Sequence, residues 1–179
     1  MCLWRQALAL LEPNTSISWG GSMTLEQIGL PKLLAEKNCF KLLDRSKVSP
    51  EDLADFYLQA LSVDTYFMSS NAITEDGKLI NIDGRGNRVA ALIYGPKQII
   101  IIAGMNKIAK DEASALDRIR NTAAPINAIR LNKNTPCAHT GQCHDCLSPD
   151  CICMQTVITR NSAEKNRIKV ILVGENLGY

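Results

Sequence analysis

The sequence predicts an α/β fold of three layers, a mostly parallel sheet with helices on both faces, plus a cysteine-rich loop near the C-terminus. Three observations predict it. Strand-like and helix-like segments alternate along the chain, the order that builds a parallel sheet through crossover helices. "QIIIIAG", residues 98–104, is apolar almost throughout, as suits a strand covered on both faces. "SWGGSMTL", residues 18–25, puts a glycine turn between a strand and a helix, a join at which such folds place ligands.

Each element follows in order. Residues 2–11 carry Leu3, Ala7, Leu8, Leu10 and Leu11 at helical spacing, and Pro13 ends the segment. "TSISW" is a short β-branched and aromatic strand. "GGSMTLEQIGL" turns on its glycines into a helix, and "CFKLL" is a second strand. Ser49-Pro50-Glu51-Asp52 reads as a helix start running on to about Leu61. Ser49 is its cap, Pro50 sits in the first turn, and the acids face the positive helix end. "VDTYFMSS" is a strand, and "NAITEDGKLINIDG" is a hairpin turning at Asp76-Gly77. "NRVAALIYG" is a helix before the apolar strand, and "KDEASALDRIRNTA" is the helix after it. "MQTVITR" and "RIKVILVGENLGY" close the chain as strands.

The 179 residues fit a single domain spanning 1–179, and 46% hydrophobic content supplies a core without staples. Lys and Arg number 20 against 18 acids, a net charge of +2, and they are scattered. No basic stripe marks a nucleic-acid surface, and three Phe, four Tyr and two Trp leave few stacking platforms. No apolar run reaches the roughly 20 residues that span a bilayer. The opening "MCLWRQALALLEP" lacks the order of a signal peptide, so the expectation is a cytoplasmic protein that binds neither nucleic acid nor membrane.

Two stretches carry candidate ligand contacts. In "SWGGSMTL", Gly20 and Gly21 let the backbone approach an anion, and Ser22 and Thr24 add hydroxyls. A tight turn with a Ser22 or Thr24 helix cap is the equal alternative. "SSNAITEDGKLINIDGRGNRVA" packs polar side chains among four glycines. Glu75 and Asp76 read as solvated turn residues, whereas the loop from Asp83 to Arg88 reads as functional. There Gly84 and Gly86 flank Arg85, and Asn87 caps the next helix. Met23, Met68, Met105 and Met154 read as core filler, Cys2 and Cys39 as small core residues, and Trp19 as core beside the glycine turn.

These motifs, with "NKI", "RIRNTAAPINAIR", "TPCAHTGQCHDC", "SPD" and "VGENLGY", resemble the lactate-utilisation (LUD) domain family from about Leu8 to Tyr179. That family resembles in fold the group of ribose-5-phosphate isomerase, glucosamine-6-phosphate deaminase and the coenzyme A transferases. The resemblance implies one pocket for a small anionic metabolite. Gly20, Gly21, Ser22 and Thr24 form its first wall. Asn71, Thr74, Asp83, Gly84, Gly86, Asn87 and Arg88 form its second, and Lys107 is a cation at the rim of the next strand. The acidic pair of a sugar-phosphate isomerase is not evident, since Asn71 stands where an acid is wanted. The resemblance also implies a helical segment ahead of this sequence.

Five of the seven cysteines and both histidines lie in the loop 135–153. Cys137, Cys143 and Cys146 are spaced C-x5-C-x2-C, and Cys153 follows seven positions later. These four match the cysteines of a family subgroup, and Cys151 falls where that subgroup carries a basic residue, so it is expected to point away. Four thiolates can close a tetrahedral zinc site or hold an iron–sulfur cluster, with His139 or His144 as a substitute ligand. A reduced, metal-free loop is the remaining reading. The resemblance implies a subunit or accessory of an iron–sulfur lactate oxidation system, with iron–sulfur oxidoreductase subunits as partners. The alternative is a stand-alone enzyme or sensor of a phosphorylated or carboxylated small molecule.

Overall fold

The computed structural model describes residues 3–179, so the reading of Cys2 lies outside the described residues. The strands are β1 (Ser16–Trp19), β2 (Lys41–Leu43), β3 (Thr65–Met68), β4 (Ala72–Thr74), β5 (Leu79–Asp83), β6 (Gln98–Gly104), β7 (Ile108–Ala109), β8 (Gln155–Thr159) and β9 (Ile168–Val173). Five form one parallel sheet in the order β2-β1-β3-β6-β9. The other four form a second sheet, β7-β4-β5-β8, in which β5 runs antiparallel to both neighbours.

The parallel sheet is covered on both faces, as the apolar run of β6 requires. Ile99, Ile101 and Ala103 join Tyr66, Met68, Phe56, Ala91 and Leu92 in one cluster. Ile100 and Ile102 join Phe67, Ile17, Leu25, Leu30 and Leu34 in the other. Side chains alternate across a strand, so one run of isoleucines supplies two cores. The first cluster is roofed by α4 (Leu53–Ala60) and α5 (Asn87–Ile93), and the second by α1 (Leu3–Leu8), α2 (Met23–Gln27) and α3 (Leu30–Lys37).

The hairpin forms where expected, pairing Ala72 with Ile80 and Ile73 with Leu79. Its turn uses Gly77 at φ 90, and Gly77 N–H donates to Thr74 O at 2.8 Å. The strand "MQTVITR" does not continue the main sheet. As β8 it pairs antiparallel with β5, from Leu79–Thr159 to Asp83–Gln155. The stretch "KDEASALDRIRNTA" is longer than expected. It forms α6 (Glu112–Arg118), a π turn (Ile119–Ala123) and α7 (Ala124–Arg130) in unbroken succession. Pro125 has no N–H to give and would clash in a regular turn, and the wider π turn before it absorbs the mismatch. α4 begins at Leu53, later than the Ser49 start expected. Ser49 instead closes the preceding turn, accepting from Asp52 N–H at 3.4 Å and donating to Asp52 Oδ2 at 2.9 Å.

Of the methionines read as core, Met68 is fully buried, but Met105 and Met154 are about half exposed because they follow the ends of strand and loop. Among the described residues no helix is long and apolar enough to cross a membrane.

Arg167 holds the end of α5. Its guanidinium is buried and donates to Ala91 O, Leu92 O and Pro96 O at 2.8, 2.7 and 3.0 Å. These are carbonyls at a helix C-terminus, where a cation is favoured. Arg167→Ala leaves them buried without their donor, and urea unfolding should show a loss on the order of 3 kcal/mol. Arg167→Lys should recover only part of it, because an ammonium lacks the planar fork.

Candidate functional site

In the parallel sheet the chain order reverses between β1 and β3, and ligands of open α/β sheets bind outside the carboxyl ends of strands at such a point. A cavity of about 490 Å³ lies there. Every strand of the sheet contributes just past its end. Arg45 follows β2, Gly21 to Thr24 follow β1, Ser69 to Asn71 follow β3, Lys107 follows β6, and Gly178 and Tyr179 follow β9. The second sheet adds Ile82 to Arg85, and the π turn adds Ile119 and Ala123.

The walls are strongly cationic. Arg45, Arg85, Arg88, Lys107, Arg130 and Lys133 line the cavity, against one carboxylate, Asp83. Arg45, Arg85 and Arg130 are exposed at its mouth. In a cleft with low-dielectric walls such charges reinforce one another toward an anion.

Arg88 is not free to bind. Its Nη1 donates to Ser69 O at 3.1 Å and Asn81 Oδ1 at 2.6 Å. Its Nη2 donates to Asn71 Oδ1 at 2.9 Å and Ile82 O at 3.1 Å. Its Nε forms an ion pair with Asp83 Oδ2 at 3.4 Å without hydrogen-bond geometry, and that oxygen has no hydrogen-bond partner. Asn71 Oδ1 also accepts from Ile82 N–H at 3.0 Å. Arg88 and Asn71 therefore assemble the wall between the two sheets.

Lys107 is buried, not at the rim. Its Nζ donates to Thr24 Oγ1 at 2.8 Å and to Ser69 Oγ at 2.9 Å. Burial, with Arg118 and Arg88 nearby, pulls its ammonium down to about 7. Ser22 caps α2, accepting from Leu25 N–H at 3.4 Å, so the helix-cap reading of the glycine turn holds alongside its place in the cavity wall.

The other expected residues divide. Gly21, Ser22, Thr24, Asn71, Asp83, Gly84, Asn87, Arg88 and Lys107 all line the cavity. Gly20 lies behind its wall, where a Cβ would stand 3.2 Å from the Tyr66 hydroxyl and 3.3 Å from Arg88 Cδ. Gly86, not Asn87 as expected, is the cap of α5, in the left-handed region at φ 88, and Asn87 is the first helical residue. Thr74 is away from the cavity. Its hydroxyl donates to Asp76 and accepts from Lys78 N–H, closing the hairpin turn. Glu75 and Asp76 are exposed, as expected.

Residues 174–179, read as a strand end, instead strap the deep side of the cavity. Leu177 O accepts from Thr24 Oγ1 at 3.2 Å and Leu177 N–H donates to Asn106 Oδ1 at 3.1 Å. Gly178 N–H donates to Gln27 Oε1 at 2.7 Å, and Tyr179 Oη donates to Asn127 Oδ1 at 3.0 Å. The asparagine and glycines in "VGENLGY" were the only sequence signal. Ser69 and Arg130 lie within the quoted motifs "SSNAITEDGKLINIDGRGNRVA" and "RIRNTAAPINAIR" but were not singled out, and for Arg45 and Lys133 there was no signal.

The cysteine loop borders the same cavity through Ile152 and Cys153. It is anchored by Asp150, which accepts from Asn134 N–H at 2.9 Å and Lys133 Nζ at 3.2 Å. Cys137 lies on α8 (Pro136–Thr140). Cys151 does not point away as expected. Its Sγ accepts from Cys153 N–H at 3.3 Å. Burial, then Cys151, Cys137 and Cys143, push the Cys153 thiol up to about 12. Among the described residues no three His, Cys, Asp or Glu side chains are arranged to hold a metal ion. Cys137, Cys143 and Cys151 all act on the Cys153 thiol, so the extra cysteine lies among the loop's thiols rather than apart from them.

Comparison with known proteins adds the following. A family model described as the LUD domain matches residues 4–173. No curated protein matches the chain. Among solved structures, ribose 5-phosphate isomerase A from Neisseria gonorrhoeae is 17% identical, with 60% of this chain and 51% of that chain covered at a TM-score of 0.39. Ribose 5-phosphate isomerase from Plasmodium falciparum is 16% identical, with 60% and 50% covered at 0.38. A DUF162 family protein from Deinococcus radiodurans is 12% identical, with 90% and 88% covered at 0.40. The chain spans about half the length of the two isomerases.

Two outcomes follow from this geometry. Gly178 has φ +61, and a Cβ there would lie 2.6 Å from Thr24 Oγ1 and 3.2 Å from Lys107 Nζ. Gly178→Ala should cost about 1–2 kcal/mol for the left-handed backbone alone, read by thermal unfolding. The second concerns Lys107, which Arg88 from α5 and Arg118 from α6 face. Unfolded, it keeps its proton up to 10.5; folded, it gives it up near 7. Between those values the unfolded chain binds more protons, so its contribution to stability rises with pH. Below 7 both states are protonated and the penalty is present in full. Lys107→Met should remove that rise, leaving a flatter stability curve across neutral to alkaline pH.

Proposed function

The chain belongs to the LUD domain family, and from that premise we propose that it is a lactate-utilisation-type protein whose cavity binds a small anionic metabolite. One observation carries this reading. Six cationic side chains and a single carboxylate line one cavity at the carboxyl ends of the parallel strands. Arg88 and Lys133 have the carboxylates of Asp83 and Asp150 as partners, but Arg45, Arg85 and Arg130 stand exposed around the mouth, and like charges gathered there repel one another. An anion supplies the missing charge. The volume, about 490 Å³, suits a carboxylate or phosphate ester of a few carbons rather than a polymer.

In this reading the chain acts as a subunit or accessory of an iron–sulfur lactate oxidation system in the cytoplasm, and the clusters are carried by partner oxidoreductase subunits. Affinity capture from native extract should then retain an iron–sulfur oxidoreductase subunit. The buried Lys107 favours a second reading, a stand-alone enzyme acting on a phosphorylated or carboxylated small molecule, because a neutral amine inside an anion site serves chemistry better than binding.

Thermal unfolding against lactate, pyruvate, ribose 5-phosphate and coenzyme A esters tests the anion reading. A true ligand at a hundred times its dissociation constant should stabilise the fold by about 2.7 kcal/mol. Combined replacement of the exposed Arg45, Arg85 and Arg130 by Ala should abolish the shift while leaving the unliganded fold intact. If no anion stabilises the protein, the reading fails.

A further inference from the structure

We infer that Lys107 is a nucleophilic amine that forms an imine with the carbonyl carbon of an anionic aldehyde, ketone or 2-oxo acid held in the cavity. The inference rests on the anion-binding reading and names the substrate class it would take.

The hydrogen bonds around Nζ match a neutral amine. Thr24 Oγ1 donates its own proton to Leu177 O at 3.2 Å, and Ser69 Oγ donates to Ser70 O at 3.4 Å. Both hydroxyl oxygens are therefore acceptors toward Lys107, at 2.8 and 2.9 Å. A neutral amine has two N–H groups and one lone pair. An ammonium has three N–H groups and no acceptor. Two acceptors satisfy the amine and leave its lone pair free, whereas they leave an ammonium one donor short inside the protein, which is costly.

The charges around it agree. Among the described residues no carboxylate lies within ion-pair distance of Nζ; the cavity's one acid, Asp83, pairs with Arg88. Burial and the neighbouring arginines disfavour the ammonium, bringing the group to about 7. A buried lysine without a counter-ion is the arrangement in which an amine becomes a nucleophile at neutral pH. The exposed cations Arg45, Arg85 and Arg130 line the mouth of the same cavity. A substrate with an anionic tail toward them presents its other end to the interior, where Lys107 stands.

The step balances without any oxidant or reductant. The Nζ lone pair forms a bond to the carbonyl carbon as the C–O π bond breaks. The resulting carbinolamine transfers a proton from nitrogen to its oxygen and then loses that oxygen as water, using two protons in all. The imine so formed takes up one proton and draws electrons from the neighbouring carbon.

The test is reductive trapping on the full chain with cyanoborohydride at pH 7. The probes are pyruvate, ribose 5-phosphate and pyridoxal 5′-phosphate, read by peptide mass spectrometry. At that pH about half of Lys107 is neutral, against roughly one in 3,000 of an ordinary lysine, so its labelling should exceed that of exposed Lys97 and Lys110 by at least about tenfold. Lys107→Arg keeps a long nitrogen-bearing side chain but removes the nucleophilic amine, and should lose the adduct. Should that variant fail to fold, suppression of the wild-type adduct by pyrophosphate serves in its place. Adducts spread evenly over exposed lysines with every probe overturn the inference. If pyrophosphate raises the melting temperature and no Lys107 adduct forms, the imine is wrong and the anion site stands. If Lys107 is labelled but no anion stabilises the fold, the imine stands and the anion site is wrong.

Discussion

The guanidinium of Arg88 reaches from α5 to Ser69 beyond β3, Asn71 before β4, and Asn81, Ile82 and Asp83 on β5. The wall between the two sheets depends on it. Ser69 O and Asn71 belong to the segment that leaves the parallel sheet, and Asn81 to Asp83 belong to the strand that returns in the second sheet. Without the fork Ser69 O would lose its guanidinium donor, and Asn71 Oδ1 and Asn81 Oδ1 would keep the weaker, neutral donors Ile82 N–H and Asn71 N–H. Gly20 is part of the same constraint, because a side chain there would press on Arg88 Cδ and the Tyr66 hydroxyl. The glycine turn after β1 thus makes room for a structural cation as much as for a ligand.

That arrangement separates the cavity's cations by task. Arg88 is spent on protein acceptors. Lys133 is held by Asp150 at the foot of the cysteine loop. Arg45, Arg85 and Arg130 remain exposed around the mouth. Lys107 is alone at depth, served by two hydroxyls and confined by the 174–179 segment. The π turn ahead of Pro125 contributes to the same wall through Ile119 and Ala123, so the irregularity that accommodates a proline also shapes the cavity.

The cysteine loop joins this site through Cys153 rather than standing apart from it. Burial, and after it Cys151, Cys137 and Cys143, hold the Cys153 thiol in its protonated form. Neighbouring thiolates would repel one another unless a cation offset them. In the arrangement described, hydrogen bonds accepted by Asp150 from Asn134 N–H and by Cys151 Sγ from Cys153 N–H hold the segment in place.

The sequence by itself determined the architecture: alternating elements, an isoleucine strand that must be covered twice, and glycine and asparagine loops where strands end. These are local properties of period and backbone freedom, so they are legible without neighbours. It also placed Asp83 to Arg88 and Gly21 to Thr24 near one another, through the family motifs. Only the tertiary structure decided which of those groups are free. Arg88 looked like an anion ligand because its donors are visible in the sequence and its acceptors, 6 to 19 residues away, are not. Lys107 looked like a rim cation because burial is a property of the assembled fold. Thr74 left the site because its own turn claimed its hydroxyl, and β8 joined the second sheet by pairing with β5, a partner more than 70 residues away for each pair. Charge and residue type are written along the chain, whereas desolvation and hydrogen-bond partnership arise between segments distant in it, and these last set what a site can do.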